Sequence, residues 1–191
     1  MNKTIEQRLT GGHPNSLGET VAVTEDVLSD TSAGLFDELC KTYESNDEVV
    51  RLRVSSALKR VCGLHRDSLQ PSAVPRPDWV LSRFDWLLKE IGWVLTQPSA
   101  KWSIAQISVA LDEHLSDTQR ENAIALLKHN LVNEQDWIVQ NTTADALAHF
   151  VQLYDNKSLC KWLLPKLDVM AKDSRKSVAA RGEKLRQTLS S

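Results

Sequence analysis

Three tryptophans seven residues apart, Trp79, Trp86 and Trp93, are the residues of this 191-residue chain whose type and spacing point most directly to a chemistry, and that chemistry is recognition. On a helix, a spacing of seven returns to nearly the same side. The helix predicted over 78–95 already has a full core face in Val80, Leu81, Phe84, Leu87, Leu88, Ile91, Val94 and Leu95, and the indoles fall opposite it, among Ser82, Arg83, Lys89 and Glu90. Indole beside guanidinium is a pairing that interface centres favour. Trp79, Trp86, Trp93 and Arg83 are therefore candidate partner-binding residues, for another protein or a second copy of the chain. The competing reading has the indoles covered within the chain by the proline-rich segment or the N-terminal helices.

A second cluster is Gly11, Gly12 and Gly18 around His13-Pro14-Asn15-Ser16, three of only seven glycines. Free amides in such a turn, leading into a helix N-terminus, could hold an anion. The simpler expectation is that Asn15 or Ser16 caps the next helix. No phosphate-loop or dinucleotide motif accompanies the turn.

Catalysis is hard to assemble from the remaining residues. The five histidines, His13, His65, His114, His129 and His149, show no metal-binding spacing. Asp112 and Glu113 are helix neighbours that point in different directions, and no nucleophile elbow occurs. Cys40, Cys62 and Cys160 are odd in number and far apart, each in an apolar helical context, which reads as reduced, buried thiols. The expectation is a protein without catalysis, metal or cofactor.

The formal net charge of −2 hides an asymmetry: residues 157–191 carry nine Lys/Arg against three Asp/Glu, while both preceding stretches are acidic. A basic terminal helix pair admits a nucleic-acid-binding or DNA-repair-like alternative, although a phosphate backbone favours basic charge along a whole groove. The N-terminus lacks the apolar run of a secretory signal, and no stretch is long and apolar enough to span a membrane. The expected location is the cytoplasm, with no membrane partner.

Positioning these residues falls to a repeated helical pattern. Asp47 and Asp136 each open a segment in which apolar or small residues follow at offsets of 0, 4, 7 and 11: Val50, Val54, Ala57, Val61 and Val139, Thr143, Ala146, Phe150. Two weaker copies are Ile104, Ser108, Leu111, Leu115 and Val178, Gly182, Leu185, Leu189. Each is one stripe of a helix, and in the first two the opening Asp can cap the first turn. Breakers and stripes predict short helices at 2–9 and 17–29. Four helix pairs follow, 32–44 with 47–63, 78–95 with 99–115, 117–131 with 136–153, and 157–172 with 174–189. Three prolines between Asp67 and Pro77 predict an extended insertion, and Pro165 falls inside a helix that it should bend. A stripe that no single helix can bury, repeated along a chain, implies a stacked solenoid forming one domain over 1–191. The second helices would line its concave binding face, presenting Arg53, Ser56, Ile107, Asn141, Asp145, Ala148, Arg181 and Lys184. That mixed lining suits a protein segment better than a phosphate backbone.

The Asp-x-x-Val openings, the Ala57-Leu58 and Ala146-Leu147 pairs and the proline-containing first helix resemble HEAT repeats of the armadillo-like class over residues 32–189. The stretch Leu9-Thr-Gly-Gly-His-Pro-Asn-Ser-Leu-Gly-Glu-Thr is similar to the opening of small bacterial HEAT-repeat proteins. The resemblance implies an all-α superhelix of about four helix pairs plus N-terminal helices. Scaffolds, DNA alkylation-repair glycosylases and chromophore lyases share that architecture, so it selects no activity. The catalytic Asp of the glycosylases, with its flanking Trp and Arg, matches no position here. A non-catalytic interaction scaffold or adaptor is the reading that remains.

Overall fold

A computed structural model describes residues 3–13 and 16–190. Among them every regular element is helical and none is a strand. Helices α1 (Ile5–Leu9), α2 (Thr20–Ser29), α3 (Gly34–Lys41) and α4 (Glu48–Val61) are followed by α5 (Pro77–Ser82), α6 (Phe84–Trp86), a wide-turned segment at Leu87–Gly92, and α7 (Pro98–Ala110). Then come α8 (Asp117–Asn133), α9 (Trp137–Leu153), α10 (Lys157–Met170) and α11 (Lys176–Ser190). The chain forms two compact units, 1–103 and 104–191, with the boundary inside α7, where the sequence pattern predicts one continuous domain.

The predicted caps and stripes are in place. The Asp47 carboxylate accepts from Val49 N–H, and that of Asp136 from Ile138 and Val139 N–H. Of the sixteen stripe residues all are buried except Leu189, which is partly exposed. Leu58 and Leu147, beside the repeat alanines, are fully buried.

In unit 1, α4 is central. Helices α1 and α2 pack on it together with α5 and the tight turn Thr42–Glu44 that ends α3. In unit 2, α9 is central, packed by α8, α10 and α11, and α10 lies along α11. Helix α10 runs on through Pro165 for a further turn.

The predicted continuous helix over 78–95 is not formed. Arg83 interrupts it with φ −107° and ψ 6°, and from Leu87 onward the backbone adopts i to i+5 bonding, as in Trp93 N–H to Leu88 O at 3.1 Å. A residue in a wider turn rotates less about the axis than in an α-helix. The face therefore slips, and Val94, expected in the core, is 63% exposed.

Cys40 and Cys62 are buried as expected, whereas Cys160 is only partly covered because its side of α10 is less enclosed. Burial raises both interior thiols to about 12 from the usual 9.0, and burial likewise raises the Tyr43 phenol. Their contribution to stability is complete below pH about 9 and is lost as pH climbs toward 12, because the unfolded chain then releases protons the folded chain keeps. Lys59 acts in the opposite sense, lowered by burial to about 8, but it is one group against three. Urea titrations are expected to show stability falling between pH 9 and 11. The Cys40→Ala, Cys62→Ala double variant should flatten that fall. A stability that rises over this range in the wild type would contradict the burial of these groups.

Candidate functional site

The glycine turn binds a cation, not an anion. Arg53, predicted to face outward on α4, is 1% exposed, and its guanidinium points into the turn. Nη1 donates to Leu9 O at 2.5 Å and Gly11 O at 2.6 Å, Nη2 to His13 O at 3.2 Å, and Nε to Ser16 O at 3.1 Å. The turn thus directs carbonyls inward, the opposite polarity to an anion nest, and five fixed N–H donors suit such a ring of acceptors. Gly18 has φ +52°, and a Cβ there would sit 3.0 Å from the guanidinium carbon, so close approach and backbone conformation both require glycine. Ser16 does not cap α2; its hydroxyl accepts from Gly18 N–H. Asn15, the other predicted cap, lies outside the described residues. Ser56, one turn beyond Arg53, is buried too, because α1 and α2 cover this side of α4. Ile107 and Ala148, also expected on the open lining, are buried as well. The stripe marks one buried side of each helix, and further helices packed on α4 and α9 bury other sides as well, which the stripe does not encode.

The tryptophans do not share one open face, since no single helix carries them. Trp79 is half-buried against Phe36 of α3, with ring centroids 5.5 Å apart and the Arg76 guanidinium 4.3 Å over its other side. Trp86 is half-buried near Tyr43 at 6.2 Å. Arg83 pairs with Asp37 of α3 at 2.6 Å. Three of these four candidate residues are thus engaged with α3 and its closing turn inside unit 1. Trp93 is largely exposed, at 48%, and Arg83 is exposed as well despite its pairing.

In unit 2 the predicted residues do converge. Asp145 of α9 and Arg181 of α11 pair at 3.1 Å, and Lys184, one turn along α11, also acts on the carboxylate. Burial nevertheless dominates and raises the Asp145 pKa, with the two cations opposing it. Asn141 lies one turn back on the same face of α9. Its Oδ1 is buried and meets no hydrogen-bond donor of the protein. An acceptor in that state is costly unless something supplies an N–H or O–H.

Two further turns of α9 bring in residues that the sequence does not link. His149 Nε2 bonds the nearly buried Asp112 carboxylate, 37 positions away. Tyr154 donates to Asp112 O at 3.2 Å, and Arg120 lies 4.0 Å over the Tyr154 ring. A search for histidines with near partners misses this pair, because it closes only when the turn before α8 folds back on α9. An aspartate that orients an imidazole is half of a general-base arrangement. The pair ties the turn before α8 to α9, and no serine, threonine or cysteine side chain bonds this imidazole among the described residues. Among the described residues no three His, Cys, Asp or Glu side chains are grouped as for a metal, and no helix is long and apolar enough to cross a membrane.

The basic C-terminal pair is less open than its charge suggests. Arg175 pairs with Asp173 at 2.7 Å, Arg181 with Asp145, and Arg186 with Glu183 at 3.1 Å and Asp168 at 3.7 Å. All three arginines of residues 157–191 are therefore engaged by carboxylates. Comparison of the chain with family models, with curated proteins and with solved structures gave no match.

Proposed function

We propose that this chain is a non-catalytic protein-interaction module, a short superhelix of HEAT-like helix pairs in which the outward faces of α9 and α11 take an extended polypeptide segment. The stacking of α8–α9 and α10–α11, with α9 also against α11, supports the repeat reading in unit 2. The observation that carries the function is what the protein already does with the same helix position in unit 1. Arg53 stands three residues after Val50, and Arg181 stands three after Val178. Arg53 holds an irregular Gly-rich segment by four main-chain carbonyls. Arg181 makes a single ion pair, beside a buried unpartnered acceptor on Asn141. Main-chain carbonyls of a bound segment would supply acceptors to the Arg181 guanidinium. Engagement of the three arginines by carboxylates leaves the nucleic-acid alternative to the lysines of the C-terminal helix pair.

The test is selection of binding segments from a displayed random-peptide library on the immobilised protein, followed by fluorescence anisotropy. The Asp145→Asn, Arg181→Met double variant removes the pair without leaving a lone charge. It is expected to weaken the selected peptides by roughly tenfold or more, since one charge-assisted hydrogen bond is worth about 1.5–3 kcal/mol, and to leave the thermal midpoint nearly unchanged. Equal binding by the variant, or no selectable peptide, would sink this reading.

A further inference from the structure

The outer face of α10 is unlike the rest of unit 2. Trp162 is half-buried there, and Val169, two turns on, is 70% exposed. Lys128 Nζ from α8 and Lys166 Nζ from α10 stand 4.9 Å and 5.8 Å from the Trp162 ring centroid, and Lys161 is the exposed neighbour of that indole. Like charges are thus gathered at one aromatic side chain, and no ion pair is formed by Lys128, Lys161 or Lys166 among the described residues. The adjoining arginines, by contrast, are neutralised in place. An apolar strip rimmed by unpaired ammonium groups fits a surface that is acidic and partly apolar.

The chain carries an acidic surface at its other end. Residues 1–48 hold three Lys/Arg against ten Asp/Glu, a net of −7 that matches the +6 of residues 157–191. A groove of about 350 Å³ opens there beside Glu6, Glu38 and Glu44, with Thr42 and Lys41. Glu38 accepts from Ile5 N–H, while the exposed Glu6 and Glu44 carboxylates form no ion pair among the described residues. A lysine side chain is of the size and charge to enter that groove.

We propose that the lysine-rimmed face of α10 in one copy docks on the acidic N-terminal helices of a second copy, head to tail. The two surfaces differ, so the contact pairs a face of unit 2 in one copy with a face of unit 1 in another. Charge steers and orients the encounter, and Trp162 and Val169 supply the apolar area that water leaves. The proposal is independent of the α9–α11 face, whose Asp145 and Arg181 its variants leave intact.

Sedimentation velocity over a concentration series tests it. At low salt the weight-average sedimentation coefficient is expected to rise with concentration, and at about 0.5 M salt, where charges are screened within a few ångström, to return to the monomer value. The Lys161→Glu, Lys166→Glu variant should remain monomeric at low salt, as should Glu6→Lys, Glu44→Lys. All four residues are at the surface, so far-ultraviolet circular dichroism should be unchanged in both. Mixing the two variants should restore association, since each retains the face the other lacks. A wild type that is monomeric at every concentration at low salt overturns the proposal, as does association that salt or charge reversal leaves unaltered. A monomeric wild type retained on single-stranded DNA or on anionic vesicles likewise overturns it and assigns the face to that partner.

Discussion

Replacing Arg53 by Met is expected to destabilise the protein by roughly 3–5 kcal/mol, the cost typical of removing one side of a buried charged arrangement. The guanidinium serves four carbonyls, on Leu9, Gly11, His13 and Ser16, and methionine fills the volume while serving none. Those oxygens would then be buried without donors or would move out to water, taking α1 with them. Lysine at this position keeps the charge but lacks the planar fork, so Arg53→Lys should recover only part of the loss. Hydrogen exchange provides the local readout: amides of residues 5–13 should lose protection well beyond those of α9 in the same variant. Uniform change across both units, or a loss under about 0.5 kcal/mol by urea titration, would mean that the turn does not depend on this guanidinium. Gly18→Ala should act in the same direction, through crowding of Arg53 and a strained backbone at φ +52°.

The second large effect concerns Gly182, in the interior of α11. Glycine in mid-helix is ordinarily worse than alanine by about 1 kcal/mol, so Gly182→Ala should stabilise on propensity alone. Packing reverses that sign. A Cβ at Gly182 would lie 2.6 Å from Ala171 N, 2.7 Å from Met170 Cβ and 2.9 Å from Met170 C, where α11 crosses the end of α10. Two of those three atoms are backbone, so relief requires the helices to separate, and overpacking of this kind typically costs about 1–3 kcal/mol. Gly182→Ala should therefore lower the thermal midpoint by several degrees, and Gly182→Val by more. A midpoint that rises on alanine substitution would show that the α10–α11 crossing is looser than these distances require.

These two sites separate what can be read along the chain from what cannot. Helix content, the Asp47 and Asp136 caps and the buried stripes of Val50, Ile104, Val139 and Val178 were legible, because helical periodicity and capping are local: the residues that decide them lie within a few positions of one another. Even Gly182 appears in the right stripe, although only the crossing with Met170 and Ala171 shows why nothing larger fits. Tertiary structure decided the rest. Arg53 reads as a surface cation until the glycine turn, about forty residues upstream, folds over it, and carbonyl orientation has no sequence signature. His149 and Asp112 meet across 37 positions. Trp79 and Trp86 read as extra to one helix face, but the rings they meet, Phe36 and Tyr43, arrive from about forty residues upstream. Periodicity therefore determined one interior side of each repeated helix. Which outward face stays open depended on long-range packing, because covering a face needs a partner from elsewhere in the chain, and no local pattern encodes its arrival.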